Sequence, residues 1–334
     1  MAFNVEKVVE MLGAYHRTNY NRIVQKYRES FQLSSVFPVL SMVRDELVVT
    51  ESIMDEIMQP YQSQFTVKGT LKFTPEILKT RYAKADITMD PLVFRATHLA
   101  DFLTQAPSEE HELVRLAYQE YVKRAAYDTA LATIKGKYKA PTPGTAGAAV
   151  DTCDGFLEFL SKAITDTKLT PVKTGNITEE DIIDQVESIY MSIPEDRRNG
   201  NLRCYMSRAL HRMYFRAIRD RFGTNTDYRG WDGYVDGTDI PVTALPFMGD
   251  SNRIVFTFEG NFRTIELQPS DLFKFDVQKD KRLINFLMDW TVGFGAMIVG
   301  LEGGTVNDQY IFLNDVDTPT PPAEPEEDPS ELGQ

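Results

Sequence analysis

Catalysis or metal binding in this 334-residue chain would have to be built from four histidines, two cysteines and a scatter of carboxylates. His16, His98, His111 and His211 stand in neither HExxH nor HxH spacing, the patterns that turn two imidazoles toward one metal. Cys153 and Cys204 are too few for a disulfide framework or a Cys-rich zinc site. GxSxG, GxxxxGKS/T and CxxC are absent. The glycines at 293, 295, 300, 303 and 304 lie in a strand-like pattern, with no following helix to offer its N-terminus to a phosphate, and read as turns or bulges. Asp236, Asp239 and Asp250 sit in turn contexts, and Glu326–Glu327 lies in a proline-rich tail. No catalytic residue, metal ligand or cofactor is assigned, and the chain is not read as an enzyme. A hydrolase using turn carboxylates stays as an alternative, without an identifiable pair.

One constellation is sharper. Arg208, Arg212, Arg216 and Arg219 follow i, i+4, i+8, i+11 on a helix expected over 203–221. They form one cationic face, opposite Leu210, Met213, Tyr214, Ala217 and Ile218. Three readings are open: a solvated face, a face for acidic residues of a neighbouring subunit, or a nucleic-acid face. Arginine suits bidentate pairing with carboxylate or phosphate in either binding case.

The elements around it follow from periodicity. Residues 3–30 read as a helix, and a short helix is expected at Ser52–Met58, stopped by Pro60. Residues 61–95 alternate around Phe65, Val67, Leu71, Phe73, Tyr82, Ala85 and Ile87, with Lys68 and Lys72 interleaved. Their low apolar density predicts a projecting two-stranded ribbon rather than a core sheet. Ser108–Lys135 reads as a single long helix, uninterrupted before Gly136. Residues 139–151, with two prolines and two glycines, form a connector. Helices follow at Asp154–Thr165 and from an N-cap at Thr178 to Ile193-Pro194, then strands to Leu313, the last two joined by a Gly303-Gly304 turn. This order, helices then strands, is α+β and does not alternate as βαβ.

The charge balance is net −13, from 36 basic and 49 acidic residues. Asp315–Gln334 holds seven acids, no base and five of the 17 prolines, and is expected to be disordered. Removing it leaves 36 bases against 42 acids, still acidic, whereas a nucleic-acid-gripping protein is normally basic. No apolar run reaches 18 residues, so no membrane-spanning helix is expected.

The second half resembles the major capsid protein of tailed bacteriophages, a fold shared with encapsulin shells. Three stretches carry the resemblance. TEEDIIDQVESIYMSIPEDRR followed by NLRCYMSRALHRMYF looks like that family's amphipathic helix, "IP" break and next axial element. DGTDIPVTALPFMGDSNRIVFTFEGNFRTIEL is similar to its late turn-and-strand signature, and FLMDWTVGFGAMIVGLEGG with YIFL to its closing strands. The likeness covers residues 175–314 in texture and 1–314 in element order.

The resemblance implies an N-terminal helical arm (1–60), an extended β-ribbon loop (61–100), a spine helix and peripheral domain (101–150), an axial domain (151–295), return strands to the peripheral domain (296–314) and the acidic tail (315–334). It implies hexamers and pentamers in an icosahedral shell around double-stranded DNA, with Lys68, Lys72, Arg208, Arg212, Arg216 and Arg219 as candidate subunit-interface residues. It further implies a portal, scaffolding or decoration proteins as partners, non-specific contact with DNA, no membrane, assembly in the host bacterial cytoplasm and a final place in the virion. An arm beginning near Met1 suggests a separate scaffold, none, or a chain already lacking that segment. An encapsulin-like protein compartment is the alternative within the fold. The many aromatic residues, 15 Tyr and 20 Phe, fit subunit contacts or a core equally well.

Overall fold

The computed structural model describes residues 5–31, 33–42, 45–54, 56–90, 112–198, 200–222, 233–267, 273–281 and 283–317. The chain divides into two compact units, Met1–Lys168 with Glu259–Gly303, and Leu169–Phe258 with Gly304 onward. These units cut across the expected axial span of 151–295. Residues 169–258 form the second unit with the chain end, while 151–168 and 259–295 belong to the first.

The first unit begins with helix α1 (Val5–Ser30), kinked at Asn19. The Asn19 amide donates to the Tyr15 carbonyl four residues back, at 3.1 Å. That oxygen is the normal acceptor of the residue-19 backbone N–H, and side-chain competition of this kind bends helices. Strands β1 (Val39–Met42), β2 (Glu46–Met54), β3 (Leu71–Lys79) and β4 (Arg81–Met89) follow. Helix α2 (Glu112–Lys135) is unbroken, as its apolar stripe predicts; residues 108–111 of the expected helix lie outside the described residues. It ends where Gly136 crosses the chain before α3 (Phe156–Thr165). A Cβ on Gly136 would come within 2.3 Å of the Ala132 and Cys153 carbonyl oxygens, so only glycine fits.

A five-stranded sheet completes this unit. Its long central strand β10 (Leu283–Ala296) pairs antiparallel with β4 on one side and with β9 (Phe273–Asp280) and β8 (Phe262–Leu267) on the other; β1 adds parallel to β8. Helices α1 and α2 cover the face carrying Phe275, Val277, Phe286, Met288 and Trp290. Phe37, Phe156, Phe262 and Phe294 form a four-ring cluster with centroids 5.2–5.9 Å apart. These phenylalanines, with Tyr15, Tyr27 and Tyr118, are core. Much of the aromatic content is therefore spent on packing, the second of its two readings.

The second unit holds α4 (Ile182–Met191), α5 (Glu195–Arg198), β5 (Leu202–Ser207), α6 (Arg208–Phe222), β6 (Val242–Leu245), β7 (Val255–Phe258) and β11 (Ile311–Leu313). Its sheet runs β11-β7-β5-β6, and one apolar cluster joins that sheet to α4 and α6.

Several expectations are corrected. The helix expected from Arg203 starts at Arg208. Residues 202–207 are a strand whose Leu202, Cys204, Tyr205 and Met206 are all buried; such a run cannot be told from a helix by periodicity. The helix expected at Ser52–Met58 is not formed; β2 runs through Met54, its β-branched Val48-Val49-Thr50 run favouring strand. The two closing strands exist but belong to different sheets, β10 in the first unit and β11 in the second. Asp315 and Asp317, expected within the disordered tail, are held by the second unit. The Asp315 carboxylate accepts from the Thr174 and Gly175 N–H groups, and Asp317 accepts from the Ser251 hydroxyl. Residues 318–334 lie outside the described residues.

Candidate assembly surfaces

The ribbon is built from β2 and β3, paired antiparallel with Val48 opposite Ile77 and Met54 opposite Leu71. It is shifted from the expected 61–95: the strands lie at 46–54 and 71–79, and β4 joins the five-stranded sheet. Its two faces differ by the alternation of a strand. On one face Leu78 is buried against Met42 and Ile265 with Val49 beside it, and Glu76 pairs with Lys168 at 2.7 Å. The other carries Val48, Met54, Leu71, Phe73 and Ile77, all exposed. Every described side chain from Glu56 to Phe73 is exposed, including Ile57, Met58, Tyr61 (96%), Phe65 (89%) and Val67.

The lysines do not mark this apolar stripe. Lys68 folds back within the tip, pairing with Glu56 at 2.9 Å and donating to the Met58 carbonyl. Lys72 is exposed on β3, opposite Ile53 and on the face away from the stripe. The signal that would have found the stripe was the alternation of 46–54 read together with that of 71–79.

On α6 the amphipathic reading holds. Leu210, Tyr214, Ala217 and Ile218 are buried and Met213 partly so, while Arg208, Arg212, Arg216 and Arg219 are exposed. The Ser207 hydroxyl caps the helix by accepting the Leu210 N–H at 3.2 Å. Arg216 pairs with Glu179 at 3.1 Å and Arg221 with Asp184 at 2.6 Å, both acids at or on α4. One of the four arginines is thus engaged within its own chain. Such exposed pairs contribute about 0–1 kcal/mol each.

No arrangement of catalytic type accompanies these surfaces among the described residues. Burial pushes the Cys153 thiol up to about 12, with the Asp154 charge adding to the effect, and raises Cys204 as well. Both are inert thiols rather than nucleophiles at neutral pH. His211 is buried in the second unit, where its ring lies against Phe215. His16 is in the first unit, and His98 and His111 lie outside the described residues. No group of three or more His, Cys, Asp or Glu is placed to hold a metal, and no helix is long and apolar enough to cross a membrane, among the described residues. A cleft of about 420 Å³ is lined by Glu10, Gly13, His16, Arg17, Phe275, Asp276 and Val277.

Known structures give the fold its context. No protein-family model and no curated protein sequence matches the chain. The structure is similar to a chain of the satellite phage P4 procapsid including size determination (Sid) protein. The TM-score is 0.57 at 10% identity, covering 87% of this chain and 89% of that one. It is similar to a chain of the capsid of the native GTA particle, with a TM-score of 0.54 at 14% identity, covering 87% and 91%. It also resembles the capsid of Myoviridae phage XM1, with a TM-score of 0.50 at 8% identity, covering 86% and 91%. At such identities the likeness is one of fold. The chain has the α+β fold of phage capsid proteins, the fold that the resemblance in its second half implied.

Proposed function

We propose that this chain is the shell-forming subunit of a tailed double-stranded DNA bacteriophage, acting by self-association rather than by catalysis. The capsid fold supports this reading, and the β2–β3 ribbon carries it. A monomer gains nothing by holding Val48, Met54, Leu71, Phe73 and Ile77 in water on one face of a hairpin whose other face is anchored. Burying a large apolar side chain contributes about 1.5–3 kcal/mol, so five of them, repeated at every contact, supply the driving force for a closed assembly.

The copies would form hexamers and pentamers of one icosahedral shell. Portal, scaffolding or decoration proteins, non-specific contact with packaged DNA, assembly in the bacterial cytoplasm and a final place in the virion belong to the same reading. The lysines and arginines named from the sequence would then lie at or near subunit boundaries, with the ribbon's apolar stripe as the principal contact.

Electron microscopy of the purified protein over a range of concentration and ionic strength tests this. Rings, sheets or shells are expected. A monodisperse monomer under all conditions overturns the proposal. Particles enclosing nucleic acid in infected cells, rather than a protein cargo, separate the phage shell from a protein compartment.

A further inference from the structure

We propose that the arginine row of α6 is received by the acidic stripe of α4 on a second copy of this chain, in a head-to-tail contact between second units. This names the partner of one surface and rests on the shell reading above.

Within one copy the row is divided. Arg216 reaches Glu179 and Arg221 reaches Asp184, so α4 flanks α6 on the Arg216 side. At about 100° per residue, Arg208, Arg219 and Arg212 lie within about 40° of each other and about 40–80° further round the helix from Arg216. All three are exposed and have no ion-pair partner among the described residues. Helix α4 is the mirror case in charge. It buries Ile182, Ile183, Val186 and Ile189, and turns out Asp184 and Glu187, with Glu179, Glu180 and Asp181 in the turn before it. Glu179 and Asp184 are used in the chain's own pairs, whereas Glu180 and Glu187 have no ion-pair partner among the described residues.

One unit therefore presents, among the described residues, arginines without an ion pair on one helix and acids without an ion pair on its neighbour, with the Glu187 charge close enough to Arg221 to add to Asp184 in raising its pKa. Two different patches that complement each other make a heterologous contact, which closes into a ring when its rotation divides the circle. Charge of this kind fixes partner orientation and rejects a reversed approach. An acidic chain with carboxylates beside the row fits a carboxylate partner better than a phosphate backbone.

The test uses the full chain and charge exchange at low salt, where screening is weakest. R212E/R219E is expected to sediment as small species at concentrations where the wild type assembles, with an unchanged melting temperature. Adding E180K/E187K to the same chain restores complementarity, and assembly is expected to return. Should R212E/R219E lose stability, R212Q/R219Q takes its place, with a higher assembly threshold expected. Assembly of the double variant at the wild-type threshold overturns the proposal. So does failure of the fourfold exchange to rescue, which would place the partner elsewhere, or loss of nucleic-acid retention alone, which would make the row a phosphate contact. A wild-type chain that forms no ring or shell overturns the shell reading itself, and this contact with it.

Discussion

The Thr129 hydroxyl joins three elements of the first unit. It donates to the Ala125 carbonyl and accepts from Tyr27 of α1 at 3.1 Å and from the Trp290 indole N–H of β10 at 3.0 Å. Thr129→Val keeps the shape but removes the acceptor of a buried indole donor, a loss of about 1–3 kcal/mol. Chemical denaturation should show it, and Thr129→Ser should recover most of it. His16 offers a second residue-scale test. Its ring stacks on Phe275 at 5.0 Å and Tyr118 at 6.4 Å and meets Tyr20 edge-on, while Glu10, Arg17 and Asp276 line the adjoining cleft. Burial and then the Arg17 charge hold its pKa below the ordinary 6.5. The unfolded chain therefore takes up this proton at higher pH than the folded one. The stability contributed by neutral His16 is complete above about 6.5 and is lost as pH falls toward the lower folded value. Comparing His16→Phe with the wild type between pH 7.5 and 5 should show less acid destabilisation in the variant. Equal slopes would assign the effect to other groups.

At the scale of elements, the contacts of the second unit continue past Asn314 through Asp315 and Asp317. A chain cut after Asn314 loses the Asp315 contacts to Thr174 and Gly175, the Ser251–Asp317 hydrogen bond and the Asn252 N–H bond to the Asp317 carbonyl. It should be less stable than one cut after Asp317 by about 2–4 kcal/mol, measured by thermal melting. Composition could not show this, because an aspartate that ties down a loop and one in a solvated tail look alike in sequence. The same limit explains which elements were legible. Helix α2 could be read because its stripe is long and uninterrupted, and α6 because its charged and apolar faces are cleanly opposed. Strand β5 could not, because a strand buried on both faces has no alternation. The ribbon is legible as a ribbon but not in its bounds, since pairing partners are set by tertiary register rather than by local pattern. Of the six proposed interface residues, the arginines emerge together on one helix face, while Lys68 is occupied within its own tip. The apolar stripe is not legible in either strand alone because its halves lie on separate strands.

At the scale of the whole molecule, exchanging Phe73 and Ile77 together for serine should leave folding within about 1 kcal/mol, since both are exposed in the single chain. The same change should raise the concentration needed for assembly by an order of magnitude or more, because each lost side chain removes roughly 1.5–3 kcal/mol per contact. Light scattering against concentration measures both thresholds, and an unchanged threshold would mean that the stripe meets no neighbour. The seat of the ribbon has a consequence for the order of events in the cell. Leu78 rests on Ile265 of β8 and lies close to Gly295 of β10. The chain leaves the first unit after Lys168 and returns only at Glu259. During vectorial synthesis the ribbon therefore emerges long before its foundation exists, and it remains a loose hairpin until the ribosome has passed the entire second unit. Nascent chains stalled before Phe262 should be cut readily by protease within residues 46–79, and those stalled well beyond Ala296 much less so. On the proposed shell reading, competence to join neighbours would arise only when translation is nearly finished, which would keep incomplete polypeptides out of the growing particle.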